Sequence, residues 1–115
     1  MAEFSQKHPV SVVVDIGGSG IRIGLAKDRS VTSVRSINAA SYDDLSHEIR
    51  QLTQRAKPSA VALSVPGVLA DGIVKKSSSS PWLEGDVAAS IKACLELTEE
   101  RVMIVSDGQA HALAL

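Results

Sequence analysis

The chain has 115 residues and a mass of 12.1 kDa, which is the size of one small domain. Hydrophobic residues make up 44% of the sequence and charged residues 22%, a balance that is ordinary for a folded globular protein and excludes wholesale disorder. The formal net charge is −1 and no block of basic residues stands out, so nucleic acid is not expected as the principal partner.

Three strands are predicted in the first third of the chain. A polar tail at 1–9 precedes an apolar run at 10–16, which predicts a central strand buried on both faces. This run is too short for a signal-peptide core or a membrane span. Glycines break it, and residues 21–26 then alternate with period two, as in a half-buried strand. A third strand at 31–37 would complete an antiparallel meander.

A first helix is predicted to begin after Ser41, because Ser41 and Asp44 have the spacing of a capping box. Apolar residues then recur at three- and four-residue steps, which predicts one apolar stripe along the helix. Lys57 and Pro58 are expected to end it. The stripe consists of Tyr42, Leu45, Ile49, Leu52 and Ala56.

The second half of the chain alternates strands and helices. A compact buried strand is predicted at 60–65 and a short edge strand at 73–76. The serine run at 77–80 leads to a second helix, and a buried strand at 102–105 leads to a third helix over 109–115. The inward face of the second helix is predicted to contain Val87, Ile91, Leu95 and Cys94. As the single cysteine, Cys94 cannot form an internal disulfide, which suits a reducing cytoplasm.

The order of elements, β-β-β-α-β-α-β-α, predicts the fold class. An antiparallel meander followed by strand–helix units gives an α/β domain with a mixed sheet and helices packed on its faces.

The first candidate site is the glycine-rich turn after Asp15. Such a turn lets several backbone N–H groups approach one phosphate, because no Cβ blocks them. The dinucleotide fingerprint fails, since Ile23 stands where its third glycine belongs and a strand pattern follows; the Walker motif does not occur. Two interpretations stay open here: a phosphate loop, or a tight β-turn whose glycines serve conformation alone.

Asp107 is the second candidate, because it lies where a buried strand meets a helix. Ligand sites in open α/β sheets gather at such strand ends, and a carboxylate there can accept a proton from an attacking hydroxyl. The alternative is a helix N-cap, a position that Asp favours.

Two further loops are candidate sites, the turn at Pro66 and Gly67 and the loop from Ser79 to Trp82. The Trp82 ring could stack on an apolar face of a ligand such as a sugar, or it could belong to the core. The histidines have no ligand-like spacing with cysteine or acidic residues, so no metal site is assigned to His8, His47 or His111.

The order of these features resembles the N-terminal domain of the ROK-type sugar kinases, the glucokinase-like branch of the actin and hexokinase superfamily. The resemblance covers residues 10–115, nearly all of the chain. It implies an RNase H-like (actin-like ATPase) domain with helices on both faces of the sheet, in a cytoplasmic protein of carbohydrate metabolism. The segments that carry it are DIGGSGIRIGLA, ALSVPGVLADGIV, SSSSPWLEGD and VMIVSDGQAHALAL.

The resemblance implies transfer of a phosphoryl group from ATP or polyphosphate to a hexose hydroxyl. Asp107 matches the general base, and Asp15 matches the acid that helps to organise Mg²⁺ through its water shell. The loop near the transferred phosphates comprises Gly17, Gly18, Ser19 and Gly20. The sugar-side contacts comprise Pro66, Gly67, Ser79, Ser80, Trp82 and Ser106.

Three positions depart from the family pattern. Ser106 and Ser79 stand where the family often has asparagine, and a serine reaches less far and donates only once, which weakens the expected hexose contacts. Gly20 stands where a polar or basic residue is common, although the Gly-Ser-Gly version resembles some polyphosphate-using glucokinases.

The family's second, nucleotide-binding domain has no counterpart in this sequence, so little or no turnover is expected from this chain alone. A non-catalytic sugar- or phosphate-binding or regulatory module is the alternative, and a truncated product without function is a third possibility. No helix-turn-helix precedes the first strand, and neither nucleic acid nor membrane is an expected partner. Apolar surface at 110–115 predicts a homodimer, or pairing with a separate C-terminal half.

Overall fold

The computed structural model describes residues 10–17, 20–27, 30–65, 68–70, 73–76, 81–97 and 101–106. The predicted tail at 1–9 and the predicted third helix at 109–115 lie outside the described residues. In chain order the elements are β1 (Ser11–Gly17), β2 (Gly20–Lys27), β3 (Ser30–Ile37), α1 (Tyr42–Leu52), β4 (Ala60–Val65), β5 (Val68–Ala70), β6 (Ile73–Lys76), a 3₁₀ turn (Pro81–Leu83), β7 (Gly85–Asp86), α2 (Val87–Leu95) and β8 (Val102–Ser106).

The main sheet has five strands in the order β3-β2-β1-β4-β8. β1, β2 and β3 pair antiparallel, so the predicted meander is confirmed, while β1, β4 and β8 run parallel to one another. The mixed α/β sheet is therefore confirmed as well. Because parallel strands point the same way, the last residues of β1, β4 and β8 lie at one edge of the sheet. This carboxyl edge is defined by Gly17, Val65 and Ser106.

One face of the main sheet carries the hydrophobic core. Alternate residues of β1, β2 and β4 point to this face, where α1 and α2 cover them and remove their apolar surface from water. The sheet contributes Val12, Val14, Ile16, Ile21, Ile23, Val61, Leu63 and Val65, and the helices contribute Leu45, Ile49, Val87, Ile91 and Leu95.

The opposite face, called the open face below, is not covered by any described element. Val31, Val34 and Met103 are 51%, 57% and 58% exposed. The prediction that the first strand is buried on both faces is therefore wrong for β1, where Val13 is half-buried and Asp15 is exposed. β8 was also predicted to be buried, but it is the last strand in the described sheet, where Met103 is exposed and Val102 and Ile104 are half-buried. Helices on both faces of the sheet stay a prediction, because the predicted third helix at 109–115 lies outside the described residues.

α1 begins where the capping box predicts. The Ser41 hydroxyl accepts a hydrogen bond from the Asp44 N–H at 3.1 Å, and the Asp44 carboxylate accepts one from the Ala40 N–H at 3.0 Å. The aspartate thus bonds to the residue before the N-cap, where the motif's longer glutamate bonds to the N-cap itself. The bond from the Asp44 N–H satisfies one of the backbone donors that a helix start leaves unpaired.

The predicted end of the first helix, at Lys57 and Pro58, is wrong, because α1 ends at Leu52. Pro58 disfavours a helical conformation at the residue before it. The chain leaves the helix earlier, through Gln54 and Arg55, whose φ angles of 57° and 68° are left-handed.

A second sheet of three strands, in the order β5-β6-β7, follows β4. The predicted strand at 73–76 is confirmed as β6, but the prediction that it is an edge strand is wrong, because β6 lies between β5 and β7 and pairs with both. The strand predictions did not include β5 and β7, which have three and two residues. α2 starts at the N-cap Asp86, whose carboxylate accepts from the Ala89 N–H at 3.0 Å, and its predicted inward residues are buried except for the half-buried Cys94. Neither α1 nor α2 is long and apolar enough to cross a membrane, and the described ranges hold no other helix that is.

Candidate functional site

The carboxyl edge brings together the ends of the three strands that lead into predicted site segments. Asp15 in β1 lies opposite Ser64 in β4, and Ser64 lies opposite Val105 in β8. Neighbouring strands are about 4.8 Å apart, so the backbones of β1 and β8 are separated by roughly 10 Å at this level. Ser106 ends β8 one residue further along, at the level of Val65. Asp107, the next residue in the sequence, lies outside the described residues.

Asp15 faces Arg22 across the hairpin of β1 and β2, on the open face. The Arg22 Nη2 atom lies 3.7 Å from the Asp15 Oδ2 atom, and the two side chains are 66% and 53% exposed. The sequence analysis did not single out Arg22. The signal for it in the sequence is the two-residue connection between Gly17 and Gly20. A hairpin that pairs Gly17 with Gly20 also pairs Asp15 with Arg22.

Gly17 and Gly20 close this hairpin and leave its backbone bare. Both lie on the same face as Asp15 and Arg22, since side chains alternate along each strand. Gly20 has a φ of +153°, and a Cβ built there would meet nothing within 4 Å. β2 begins at Gly20, so a strand lies where the dinucleotide fingerprint needs a helix, and the rejection of that fingerprint is confirmed. The described hairpin is thus an uncovered stretch of backbone with the Asp15 carboxylate and the Arg22 guanidinium beside it.

The donor atoms at this edge fit a water-ligated magnesium ion. Within the described ranges, no group of three His, Cys, Asp or Glu side chains could hold a metal ion by itself. Magnesium does not need one, because it keeps several waters and binds through one or two carboxylates together with substrate phosphates. The exposed Asp15 carboxylate beside bare backbone has that chemistry.

Trp82 lies in the 3₁₀ turn and packs on Tyr42, the first residue of α1. Their ring centroids are 5.2 Å apart and the ring planes are nearly perpendicular, at 86°. The Tyr42 hydroxyl donates a hydrogen bond to the Leu83 carbonyl at 2.9 Å, and burial raises the pKa of Tyr42 to about 12. Both rings pack against the core while staying half exposed. These contacts favour a packing role for Trp82 and leave part of its ring accessible.

Several basic residues lie near the C-terminal ends of α1 and α2, around a cavity of about 90 Å³. The Arg50 guanidinium donates to the Cys94 carbonyl near the end of α2. Helix C-termini carry partial negative charge and stabilise nearby cations. The cluster therefore has a structural explanation. The cavity is lined by Arg50, Arg55, Ala56, Lys57, Pro58, Leu95 and Glu96.

Seven of the predicted site residues lie outside the described residues and stay predictions. They are Gly18, Ser19, Pro66, Gly67, Ser79, Ser80 and Asp107.

No protein-family model and no curated protein matches the sequence. Solved structures do match. A ROK family protein from Streptococcus pneumoniae in complex with sucrose is 24% identical, with a TM-score of 0.73 over 90% of this chain and 36% of its own length. A ROK family glucokinase from Streptomyces griseus in complex with glucose and AMPPNP is 19% identical, with a TM-score of 0.68 over 90% of this chain and 35% of its own.

A ROK family transcriptional regulator, a homologue of the Escherichia coli MLC protein, is 20% identical, with a TM-score of 0.65 over 91% of this chain and 29% of its own. The chain thus spans about a third of the length of the structures that it matches. The shared fold is the RNase H-like (actin-like ATPase) α/β fold. The described residues therefore have the fold of the N-terminal part of ROK-type proteins.

Proposed function

We propose that this chain is the N-terminal domain of a ROK-type sugar kinase, which transfers a phosphoryl group from ATP or polyphosphate to a hexose hydroxyl. The carboxyl edge is the observation that carries the proposal. Asp15 lies at that edge in β1, and β8 ends there at the residue before Asp107. Ligands of open α/β sheets bind outside the carboxyl ends of the strands, which is where these two acids belong.

In the proposed reaction the two acids have different roles. Asp107 accepts the proton of the attacking sugar hydroxyl. Asp15 holds the water shell of a magnesium ion, which neutralises phosphate charge when it is bound with the donor. The N–H groups of Gly17, Gly18, Ser19 and Gly20 approach the phosphates. The sugar is oriented by Pro66, Gly67, Ser79, Ser80, Trp82 and Ser106.

The molecules named with the similar structures support a sugar and a nucleotide as the first ligands to test. One of those proteins was crystallised with sucrose, and another with glucose and AMPPNP. For this chain we propose a hexose as the acceptor, with glucose as the probe. We also propose a cytoplasmic location, which suits nucleotide-dependent chemistry.

We expect little turnover from these 115 residues alone. Phosphoryl transfer depends on positioning both substrates and on excluding water. The similar structures are about two and a half times as long as this chain, so about two thirds of their length lies outside the matched part. A homodimer, or a separate C-terminal half, would supply the missing wall of the site.

Calorimetric titration with glucose tests the proposal. We expect the chain to bind glucose and Asp107→Asn to weaken binding about tenfold, since a hydrogen bond to a charged group is lost. Asp43→Asn, which removes an exposed acid from α1, is the matched control and should bind as the parent chain does. Absence of glucose binding would reject the proposal. Robust phosphorylation of glucose by the chain alone, abolished by Asp107→Asn, would instead show that it is a complete minimal kinase.

A non-catalytic binding or regulatory module is the second candidate. It is favoured by one observation: a ROK family transcriptional regulator shares the fold with a TM-score close to that of the glucokinase. Fold alone therefore does not separate catalysis from binding. Glucose binding without any turnover, even after a C-terminal half is added, would favour this candidate.

A further inference from the structure

A row of polar residues crosses the open face at the level of Asp15. The strand register places Arg22 on one side of Asp15 and Ser64 on the other, and Ser36 lies opposite Arg22. The next row on this face, two residues nearer the amino ends of the parallel strands, carries no charge. It consists of Val13, Gly24, Ala62 and Met103. The charged pair therefore lies between an apolar band and the bare backbone of the hairpin.

Arg22 is the one cation that the described strands of the main sheet place on the open face. Lys27 and Arg35 are the other two basic residues of those strands. Arg35 lies opposite Ile23, whose side chain is buried in the core. Because side chains alternate along a strand, Lys27 also belongs to the side of Ile23. Within these strands, the positive charge that shares a face with Asp15 is therefore the Arg22 guanidinium alone.

The contact between Arg22 and Asp15 is loose. The distance of 3.7 Å between Nη2 and Oδ2 is longer than a charge-assisted hydrogen bond, which is roughly 2.8 Å. More than half of each side chain is exposed, so water and solutes reach both groups. The planar fork of an arginine matches two phosphate oxygens as well as it matches a carboxylate. Arg22 can therefore exchange Asp15 for a phosphate without disturbing the core.

The charge of Arg22 acts in opposite directions on a bare metal ion and on a metal–phosphate complex. A divalent cation at the Asp15 carboxylate would have the guanidinium as a close neighbour, and like charges repel at such short range. Phosphate that accompanies the metal carries negative charge and attracts the guanidinium. Because the pair is exposed, water and salt limit each effect to about fivefold in affinity.

We propose that Arg22 makes metal binding at Asp15 conditional on phosphate. Without phosphate, the guanidinium stays at the carboxylate and disfavours a bare divalent cation there. With phosphate, the guanidinium turns to the phosphate oxygens and leaves the Asp15 carboxylate free to hold the water shell of the metal. This inference rests on the proposed function, which assigns Asp15 to magnesium. Arg22 is then a specificity-determining residue, which admits the metal together with a phosphate-bearing donor.

Manganese binding by the complete chain tests this inference, because oxygen ligands that suit Mg²⁺ also suit Mn²⁺. The two probes are Mn²⁺ alone and Mn²⁺ with tripolyphosphate, a phosphate chain without base or ribose. Water-proton relaxation enhancement reports the binding of either probe, since a paramagnetic ion that tumbles with the protein relaxes water faster. Arg22→Gln removes the charge. Arg35→Gln is the matched control, because it removes the same charge from the other face of the sheet.

We expect the parent chain to bind the tripolyphosphate complex much more tightly than bare Mn²⁺. Arg22→Gln should bind bare Mn²⁺ about fivefold more tightly and the complex about fivefold more weakly, which lowers the selectivity about 25-fold. Arg35→Gln should keep the selectivity within about twofold of the parent value. Unchanged selectivity in Arg22→Gln overturns the inference, as do two affinities that change in the same direction. Equal changes in both variants also overturn it, because net charge alone would then explain them.

Two further variants keep the test decisive. Asp15→Asn should abolish binding of both probes, and binding that survives this change would overturn the inference, because the metal would then lie elsewhere. If Arg22→Gln does not fold, Arg22→Lys replaces it. Arg22→Lys keeps the charge but loses the planar fork, so it should bind bare Mn²⁺ as the parent chain does and the complex more weakly. Unchanged affinity for the complex in Arg22→Lys would also overturn the inference.

Calorimetric titration with glucose separates this inference from the proposed function. A parent chain that binds glucose but shows no selectivity that depends on Arg22 overturns the inference alone. Selectivity that depends on Arg22, in a chain that does not bind glucose, supports the inference and rejects the sugar kinase. A parent chain that binds neither glucose nor either manganese probe rejects both.

Discussion

Asp15 and Arg22 meet across the first hairpin at 3.7 Å, with more than half of each side chain exposed. Exposed ion pairs of this kind contribute about 0–1 kcal/mol to stability, because water screens the charges and two long side chains must be ordered. Stability therefore does not explain why an acid interrupts the apolar run of β1. The proposed function offers another reason, a ligand role, since both charges lie beside bare glycine backbone at the carboxyl edge.

The first prediction concerns Asp15→Asn. We expect the free energy of unfolding to change by no more than about 1 kcal/mol, because the lost ion pair is exposed. Urea unfolding followed by circular dichroism measures this change. A loss of about 3 kcal/mol would contradict the account, since a loss of that size is typical of breaking a buried ion pair.

The second prediction concerns Tyr42, whose pKa is raised to about 12, mainly by burial. In the unfolded chain a tyrosine ionises near pH 10, so between about pH 10 and pH 12 the folded protein binds more protons than the unfolded one. Stability must then fall as the pH rises through this window. The stabilisation that the raised pKa provides is fully present only below about pH 10.

Urea unfolding of the parent chain and of Tyr42→Phe at about pH 9 and about pH 11 measures this effect. The stability difference between the two proteins should shrink at the higher pH, because phenylalanine does not ionise. A difference that stays constant would show that the Tyr42 hydroxyl titrates as it does in water.

At the scale of elements, β3 is the most exposed strand of the main sheet, and a β-bulge interrupts it. The register shifts where Ser33 and Val34 lie opposite Gly24, and Ser33 has a left-handed φ of 55°. Bulges increase twist and make an edge strand a poorer template for a second chain. The bulge also brings two valines over Gly24: a Cβ there would lie 2.8 Å from Val31 Cγ1 and 3.2 Å from Val34 Cγ2.

The third prediction follows from this close approach. Gly24→Ala should lower the free energy of unfolding by about 1–3 kcal/mol, the usual effect of overpacking. Val31→Ala should cost little, because the side chain is half exposed, and it should relieve most of the loss when combined with Gly24→Ala. Additive effects in this double-mutant cycle would mean that the valines do not cause the strain.

Most of the element order could be predicted because the chain alternates clear patterns: β-branched runs for β1 and β4, an apolar stripe with a capping box for α1, and glycines between strands. β5 and β7 are too short to show a period. The chain leaves α1 through two residues in the left-handed conformation, which residues other than glycine rarely adopt. The sequence does not show this, so the apolar stripe extended the predicted helix too far.

The candidate site was predictable in part. Asp15 stood out as an acid at the end of an apolar strand. Arg22 did not, because its importance depends on strand register. The Tyr42–Leu83 hydrogen bond spans 41 residues, and no local pattern indicates such a contact.

At the scale of the whole molecule, the two faces of the main sheet differ. The face under α1 and α2 is closed, while the open face carries the exposed side chains of Val31, Val34 and Met103. Exposed apolar patches on a small domain commonly become contact surfaces between proteins.

The fourth prediction is that the chain self-associates in solution. Size-exclusion chromatography with light scattering at micromolar concentration should give a mass above 12.1 kDa. Val34→Lys should shift the population towards monomer, whereas Thr32→Lys, an added charge on the same strand, should not. A clean monomer for the parent chain would refute this expectation.

We propose that the ends of β1 and β8 form one site with Asp15 and Asp107 on it. Paramagnetic broadening of backbone amide signals by Mn²⁺, added with a nucleotide in place of Mg²⁺, measures this most directly. The account predicts that residues 15–20 and 105–108 broaden together, and that Asp15→Asn abolishes the effect at both segments. Broadening at only one of the two segments, or away from the carboxyl edge, would contradict it.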